Sequence, residues 1–472
     1  MKTNAFALLA LLLAGCAPIP PDPHHVTQSD AALARHGPDF ALGLDAWPSP
    51  NWWSAYADPR LDALIAQALR TNPSLDVARS RLAAANAALS ARRGQDGAVA
   101  ALEAGMNRQR YSGNGLFPEP IGGNYFNDST VQLRAGYNFD WWGKRRAQLG
   151  SALGEVKASL AGQAQAEHLL AALVAHSYSR IVGLQLRAAN LATEADIETE
   201  LIADKARRVE HGLARSDELR GAELERAGLE QQMASLETDA AQEHEALRAL
   251  VGGTLEPIVA RGYAAQAHAL PSRLGLELLA RRPDLQAARY RVEAALGRVA
   301  ASQAAFYPDI NLIGAFGLDA IDIGKLLRGA SRTLLAGATL ELPLFDSARL
   351  GAQLDAARAA RDELIADYNQ AVLNAVREVA QDGLALAGIE RQLQLQQMRL
   401  GSRSAQWHSA RQRLAQGLAE NGAVLQARLA LMHEQGARLE LLQAERAAEI
   451  ALNTSLGGGY RAGATSPAIA KP

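Results

Sequence analysis

The most reactive side chain in this sequence is its one cysteine. Cys16 ends the run Leu13-Ala14-Gly15-Cys16, behind a basic Lys2 and a short apolar stretch over residues 6–14. That order is the pattern of a bacterial lipobox. The chemistry it implies is lipid attachment to the Cys16 thiol, cleavage before Cys16 and acylation of the new N-terminus. Each buried methylene of such an anchor contributes about 0.8 kcal/mol. No other residue pattern has the spacing of a reactive centre. Gly-x-Ser-x-Gly, His-Glu-x-x-His, P-loop and Gly-x-Gly-x-x-Gly motifs are absent from the chain. The ten histidines are scattered, and His24-His25 stand as a lone pair near the N-terminus. A single cysteine excludes an intramolecular disulfide and a Cys-based metal cluster. No catalytic residue, metal or cofactor is expected.

The bulk chemistry narrows the class further. A formal net charge of −2 over 472 residues does not furnish the basic surface that a nucleic-acid partner requires. Beyond the leader, no stretch resembles an apolar span of ~18 residues, so a helical membrane protein is not expected.

The chain is duplicated. "LRTNPSLDVARSRLAAANAAL" from Leu69 aligns with "LARRPDLQAARYRVEAALGRV" from Leu279, placing Pro73 on Pro283 and Arg81 on Arg291. "RAQLGSALGEV" from Arg146 resembles "GAQLDAARAAR" from Gly351. "RVEHGLARSDEL" from Arg208 resembles "RLAQGLAENGAVL" from Arg413. A period of that length is a two-fold duplication, unlike a short-period solenoid. Each half predicts the same series. A helix comes first (residues 59–93 and 273–305), with Asp58 as cap and Pro59 in the first turn. Two alternating segments follow, then a very long helix (144–210 and 349–416). A break at Gly-Leu-Ala precedes a closing helix (216–250 and 421–456), with Ser216 and Asn421 as expected caps. A helix of ~65 residues spans roughly 100 Å, which no compact globule accommodates. The closing helices carry apolar stripes of coiled-coil spacing: Leu229, Met233, Leu236, Ala240, Leu247 and Leu250, and Leu425, Leu429, Met432, Gly436 and Leu439. Such stripes pack lengthwise on neighbouring helices. Taken alone they also fit an ordinary coiled-coil dimer.

Four segments alternate with the period of a strand. The cleanest is "STVQLRAGYNFDWWG": Val131, Leu133, Ala135, Tyr137 and Phe139 alternate with Gln132, Arg134, Gly136, Asn138 and Asp140. The others centre on residues 102–109, 310–318 and 334–344. Their lengths suit tilted membrane strands. Alternation by itself also admits a small soluble sheet with Trp141 and Trp142 in its core, a reading that the lipobox and the repeat weaken. Four strands cannot close a barrel, and open edges are not tolerated in lipid. A membrane role therefore requires strands from other copies: two chains give eight, and three give twelve with room for a pore. The apolar face would then touch lipid, with Trp141 and Trp142 in the interfacial belt.

"WPSPNWWSAYADPRLDALIAQALRTNPSLDVARSR", "YNFDWWGKRRA", "LLARRPDLQAAR", "FYPDINL", "LPLFD" and "SLGGGY", in that order, resemble the outer-membrane efflux channels of the TolC/OprM type, lipoprotein (NodT-like) branch. The resemblance implies a mainly α chain with a membrane β-barrel part. Three copies would form a 12-stranded β-barrel and a long α-helical barrel, each copy giving four strands and an internal two-fold repeat. It implies these divisions: signal peptide 1–15, lipidated tether and equatorial segment 16–58, first efflux repeat 59–272, second repeat 273–460 and tail 461–472. It implies a passive exit duct for drugs or other toxic small molecules, with no enzymatic role. The partners implied are a periplasmic adaptor, an inner-membrane transporter of the RND, MFS or ABC type, and outer-membrane lipid. Gly212, Leu213, Gly417 and Leu418 match the periplasmic tips that the adaptor contacts. Ala17 after the lipobox, by similarity to sorted lipoproteins, favours the outer membrane. His408 and Arg411 stand where the family often places acidic gate residues, so no gate residue is assigned; Asp217 beside the first tip fits a solvated or capping role.

Two other readings compete. A periplasmic adaptor would carry a Gly/Val-rich β-domain between its hairpin arms, and none is visible. A duct of a type I protein or peptide secretion system shares the same sequence features.

Overall fold

The computed structural model describes residues 19–22, 26–28, 47–95, 97–263, 280–343 and 345–461. Cys16, Leu344, the start of the expected second-repeat helix and most of the tail lie outside the described residues.

From α2 onward the helices and strands of the first half recur in the second. The first runs α1 (Pro59–Thr71), α2 (Pro73–Gly94), β1 (Ala98–Arg110), β2 (Tyr125–Asn138), α3 (Lys144–Glu210) and α4 (Ser216–Val251). The second runs α5 (Pro283–Ala304), β3 (Asp309–Ala320), β4 (Arg332–Glu341), α6 (Ser347–Ala415) and α7 (Asn421–Ser455). The Asp58 carboxylate accepts from the amides of Arg60 and Leu61 at 3.0 and 3.4 Å, the expected cap. The helix expected over 59–93 is two helices. Pro73 lacks an N–H and disfavours helical backbone at the preceding residue. Asn72 accordingly turns extended, with φ −72° and ψ 124°. Its buried side chain fills the break, donating to the Leu250 carbonyl at 2.7 Å and accepting from the Ser74 amide at 2.9 Å. Pro283 opens α5 in the same way.

α3 covers 67 residues and α6 covers 69 without proline, so nothing in either removes a ladder hydrogen bond. Asp140 holds the start of α3. Its two carboxylate oxygens accept from the amides of Arg145 and Arg146 at 2.9 and 3.0 Å, where a negative charge is favoured by the helix dipole.

The strands form one antiparallel sheet in the order β1-β2-β3-β4. Pairing of β2 with β3 crosses from one repeat to the other, a connection that alternation in each segment does not specify. β4 stops at Glu341, short of the expected Leu344, because Pro343 cannot donate to a ladder.

The chain divides into two compact units. The sheet unit takes the described parts of Met1–Gln28, Leu82–Ser159 and Ala288–Tyr368. The helical unit takes those of Ser29–Arg81, Leu160–Ala287 and Asn369–Pro472. In the helical unit a core forms around Ile65, Ala68, Leu75, Val174, Ala175, Leu247 and Val251. In the sheet unit a smaller core joins Val299, Phe306, Leu350 and Leu354. Small residues let helices of the sheet unit approach closely. A Cβ on Gly297 of α5 would lie 2.8 Å from the Ala147 carbonyl and 2.9 Å from the Ser151 amide of α3. Backbone atoms cannot yield as a side chain can. Gly297→Leu is expected to destabilise the protein by about 1–3 kcal/mol, read as a lower thermal midpoint. Gly150→Ala, which meets nothing within 4 Å in the same helix pair, leaves that midpoint level or raises it.

Candidate functional site

The sheet carries one apolar face. Cross-strand register aligns Leu102 with Leu133, Leu133 with Phe316, and Phe316 with Leu334, a greasy row across all four strands. The next row is Ala100, Ala135, Gly314 and Ala336. The opposite face takes Glu103, Gln132, Arg134, Thr130, Asp319 and Thr333. An ion pair of 3.1 Å links Arg134 to Glu103 there. Among the described residues of one chain the apolar face is left uncovered: Leu102 is 72% exposed, Phe316 56% and Leu334 79%. Apolar side chains of this size so exposed in one row mark a surface that meets lipid or protein. β1 and β4 are the sheet's edges.

An aromatic run closes the lower end of β2. Tyr137 meets Phe139 edge-on at 4.7 Å, and Phe139 meets Trp141 at 5.5 Å. Trp142 stacks on Tyr307 at 4.6 Å and donates its Nε1–H to the Pro308 carbonyl at 2.7 Å. Both tryptophans remain about half exposed or more, at 61% and 49%. Trp142 thus has one polar bond and one stacked partner, with the rest of its ring open.

The two Gly-Leu turns are copies of each other. Gly212 and Gly417 take φ +70° and +72°, the left-handed backbone that favours glycine at a helix end. The Leu213 amide bonds the Arg208 carbonyl at 2.7 Å, and the Leu418 amide bonds the Arg413 carbonyl at 2.8 Å. Leu213 and Leu418 project at 70% and 66% exposure. The expected caps are displaced by one residue. Arg215 and Glu420 hold the extended cap positions without a side-chain cap bond, and Ser216 and Asn421 are the first helical residues. Exposed first-turn amides at an open turn are free to be satisfied by solvent. This displacement gives Glu420 another partner: the Arg208 guanidinium grips its carboxylate with both Nη atoms, the Nη2 contact at 3.2 Å. The two turns are thereby tied. Asp217 pairs with Arg215 at 2.6 Å in solvent.

The stretch before the second turn holds no acidic cluster. Arg411 lies over the Trp407 ring at 5.2 Å, and His408 meets that ring at 4.8 Å. Among the described residues the buried acids are Glu194, Glu198, Glu434 and Glu449, and two of them are joined at a His-Glu pair set inside the apolar stripe of α7. His433 and Glu434 sit between Met432 and Gly436 on that helix. Glu434 is buried and accepts from Gln396 and Arg399 of α6, both at 2.8 Å. His433 turns the other way, 3.4 Å from the buried Glu194 of α3, which Asn190 also holds at 2.7 Å. Burial pushes the Glu194 carboxyl above its usual range, against the opposing pull of His433 and Asn190. One helix thus bonds two others through adjacent residues. Its one signal in the sequence is a His-Glu pair interrupting an apolar stripe.

The outer membrane efflux protein family model matches residues 64–253 and 274–458, and the chain belongs to that family. It is an outer membrane efflux protein. It is 34% identical to the multidrug resistance outer membrane protein MdtP of Escherichia coli K12, over 96% of this chain and 95% of that one. It is 34% identical to MdtQ of E. coli O157:H7, over 96% and 97%. Among solved structures it is similar to the outer membrane protein VceC of Vibrio cholerae, with a TM-score of 0.79 and 27% identity, over 88% of this chain and 100% of that one.

The Arg208 guanidinium holds the Glu420 carboxyl below its usual range. The sign follows: the clip is complete above the ordinary glutamate value and is lost as pH falls through the lowered one. Glu420→Gln at neutral pH is expected to raise hydrogen exchange at the amides of both turns. The unsubstituted protein reaches the same state only in acid, below the ordinary glutamate range.

Proposed function

We propose that three copies of this chain assemble into one duct through the outer membrane, each supplying its four strands to a 12-stranded barrel. The observation that carries this is the sheet with two open edges and one exposed apolar face. In hydrocarbon, an unpaired backbone N–H or C=O costs several kcal/mol. β1 of one copy and β4 of the next satisfy each other. Two copies would give eight strands, whose interior side chains fill; three leave a water-filled lumen for the Glu103, Gln132 and Arg134 face. Trp141 and Trp142 then lie at the lipid–water boundary, and Cys16 carries the acyl anchor that adds to the barrel's hold. The repeats 59–272 and 273–460 each give one strand pair and one helix pair.

The Gly212-Leu213 and Gly417-Leu418 turns are the ends gripped by a periplasmic adaptor. Their projecting leucines offer an apolar knob at each turn, and the Arg208–Glu420 clip keeps the pair in register. An inner-membrane transporter supplies the energy, and the duct itself is passive. Its cargo is drugs or other toxic small molecules, as the names of MdtP and MdtQ indicate for those proteins.

Deleting the gene and measuring accumulation of a broad panel of amphiphilic drugs tests the cargo. Accumulation is expected to rise severalfold and to return to normal on complementation. Unchanged accumulation with lost secretion of a peptide would transfer the protein to the type I export reading.

A further inference from the structure

Three residues beyond Cys16 the chain enters a built receptor. Ile19 packs against the core of Val299, Phe306, Leu350 and Leu354. Arg358 of α6 donates from Nη2 to the Pro20 carbonyl at 2.7 Å and from Nη1 to the Pro21 carbonyl at 2.9 Å. One turn on, Arg361 donates from Nη1 to the Asp22 carboxylate at 2.8 Å, with Arg358 Nε 3.8 Å from the same carboxylate. The two guanidinium side chains are only 7% and 5% exposed. Asp355 at 3.3 Å from Arg358 and Asp362 at 2.8 Å from Arg361 complete their charge balance. Surface arginines of a long helix ordinarily reach into water. Two buried ones that take the carbonyls and carboxylate of one extended segment are a binding site for that segment.

The level of this site along the chain gives it a purpose. Leu350 belongs to the Ile19 core and also lines the groove shared with Trp142 and Tyr307. Phe306, at the centre of that core, adjoins Tyr307 in sequence. Three residues of chain reach at most about 11 Å, which bounds how far an anchor on Cys16 can act from Ile19. We propose that Arg358 and Arg361 are positioning residues for the lipid anchor: they hold residues 19–22 so that the acyl chains on Cys16 enter the bilayer beside the Trp142–Tyr307 end of the sheet. Anchor and barrel then share one plane, and the anchor cannot drag the tether across the helices. This inference rests on the lipidation of Cys16 proposed above.

The test uses the full-length lipidated protein in phospholipid vesicles. The mass of the N-terminal peptide first establishes lipidation on its own; an unmodified Cys16 would overturn that reading and the anchor role with it. Because lipid consumes the native thiol, a nitroxide on Pro21→Cys labels one position. Its spectrum is expected to be immobilised, with the label at the water–lipid boundary by oxygen and nickel-chelate relaxation. Asp22→Ala leaves both arginines their helix partners and removes only the tether's side of the pair. It should shorten the label's correlation time at least threefold and raise its exposure to the water-soluble relaxant, with subunit assembly unchanged. Arg358→Ala with Arg361→Ala should do the same. A mobile label in the unsubstituted protein, or a spectrum unmoved by Asp22→Ala, would overturn the proposal.

Discussion

Everything in this chain turns on a backbone requirement. A β-sheet with free edges is stable beside water, which can bond the unused N–H and C=O groups, and intolerable in hydrocarbon, which cannot. The described residues make a sheet of four strands: β1 and β4 end it, and one face is a row of exposed leucine, phenylalanine and alanine. The apolar row directs the sheet into lipid, and the open edges then require other copies. Fold, membrane location and the proposed assembly meet in that one constraint.

The duplication supplies the symmetry that this constraint exploits. Each repeat brings one hairpin and one pair of long helices, and the pairing of β2 with β3 fuses the two hairpins into one sheet. The same doubling sets two Gly-Leu turns with matching φ and matching hydrogen bonds at the ends of the helix pairs. The copies are not equivalent in charge. Arg208 in the first meets Glu420 beside the second, so an ion pair joins two turns that the repeat alone would leave independent. The family relationship to MdtP, MdtQ and VceC accounts for the architecture, and the unpaired sheet edges are the reason that architecture calls for other copies.

Much of this was legible in the residues because it is local. Two proline-free stretches predicted α3 and α6 closely, and alternation around Leu133 and Phe316 predicted the strands. The Gly212 and Gly417 turns announced themselves through repeated Gly-Leu-Ala. What the sequence hid is what depends on distant partners. Pro73 marks the break at Asn72 in the sequence, but the Leu250 carbonyl that takes the Asn72 side chain there lies far along the chain. Glu434 reads as an interruption in a stripe until Gln396 and Arg399 are placed beside it. The grip of Arg361 on Asp22 joins residues far apart in the chain, and no local period encodes it.

The central claim is that the sheet is one third of a closed barrel. Native mass measurement of the full-length protein, released from lipid nanodiscs, counts the copies directly. The account predicts a single assembly of three chains. A stable one-chain species carrying an intact sheet would contradict it, as would a closed pair.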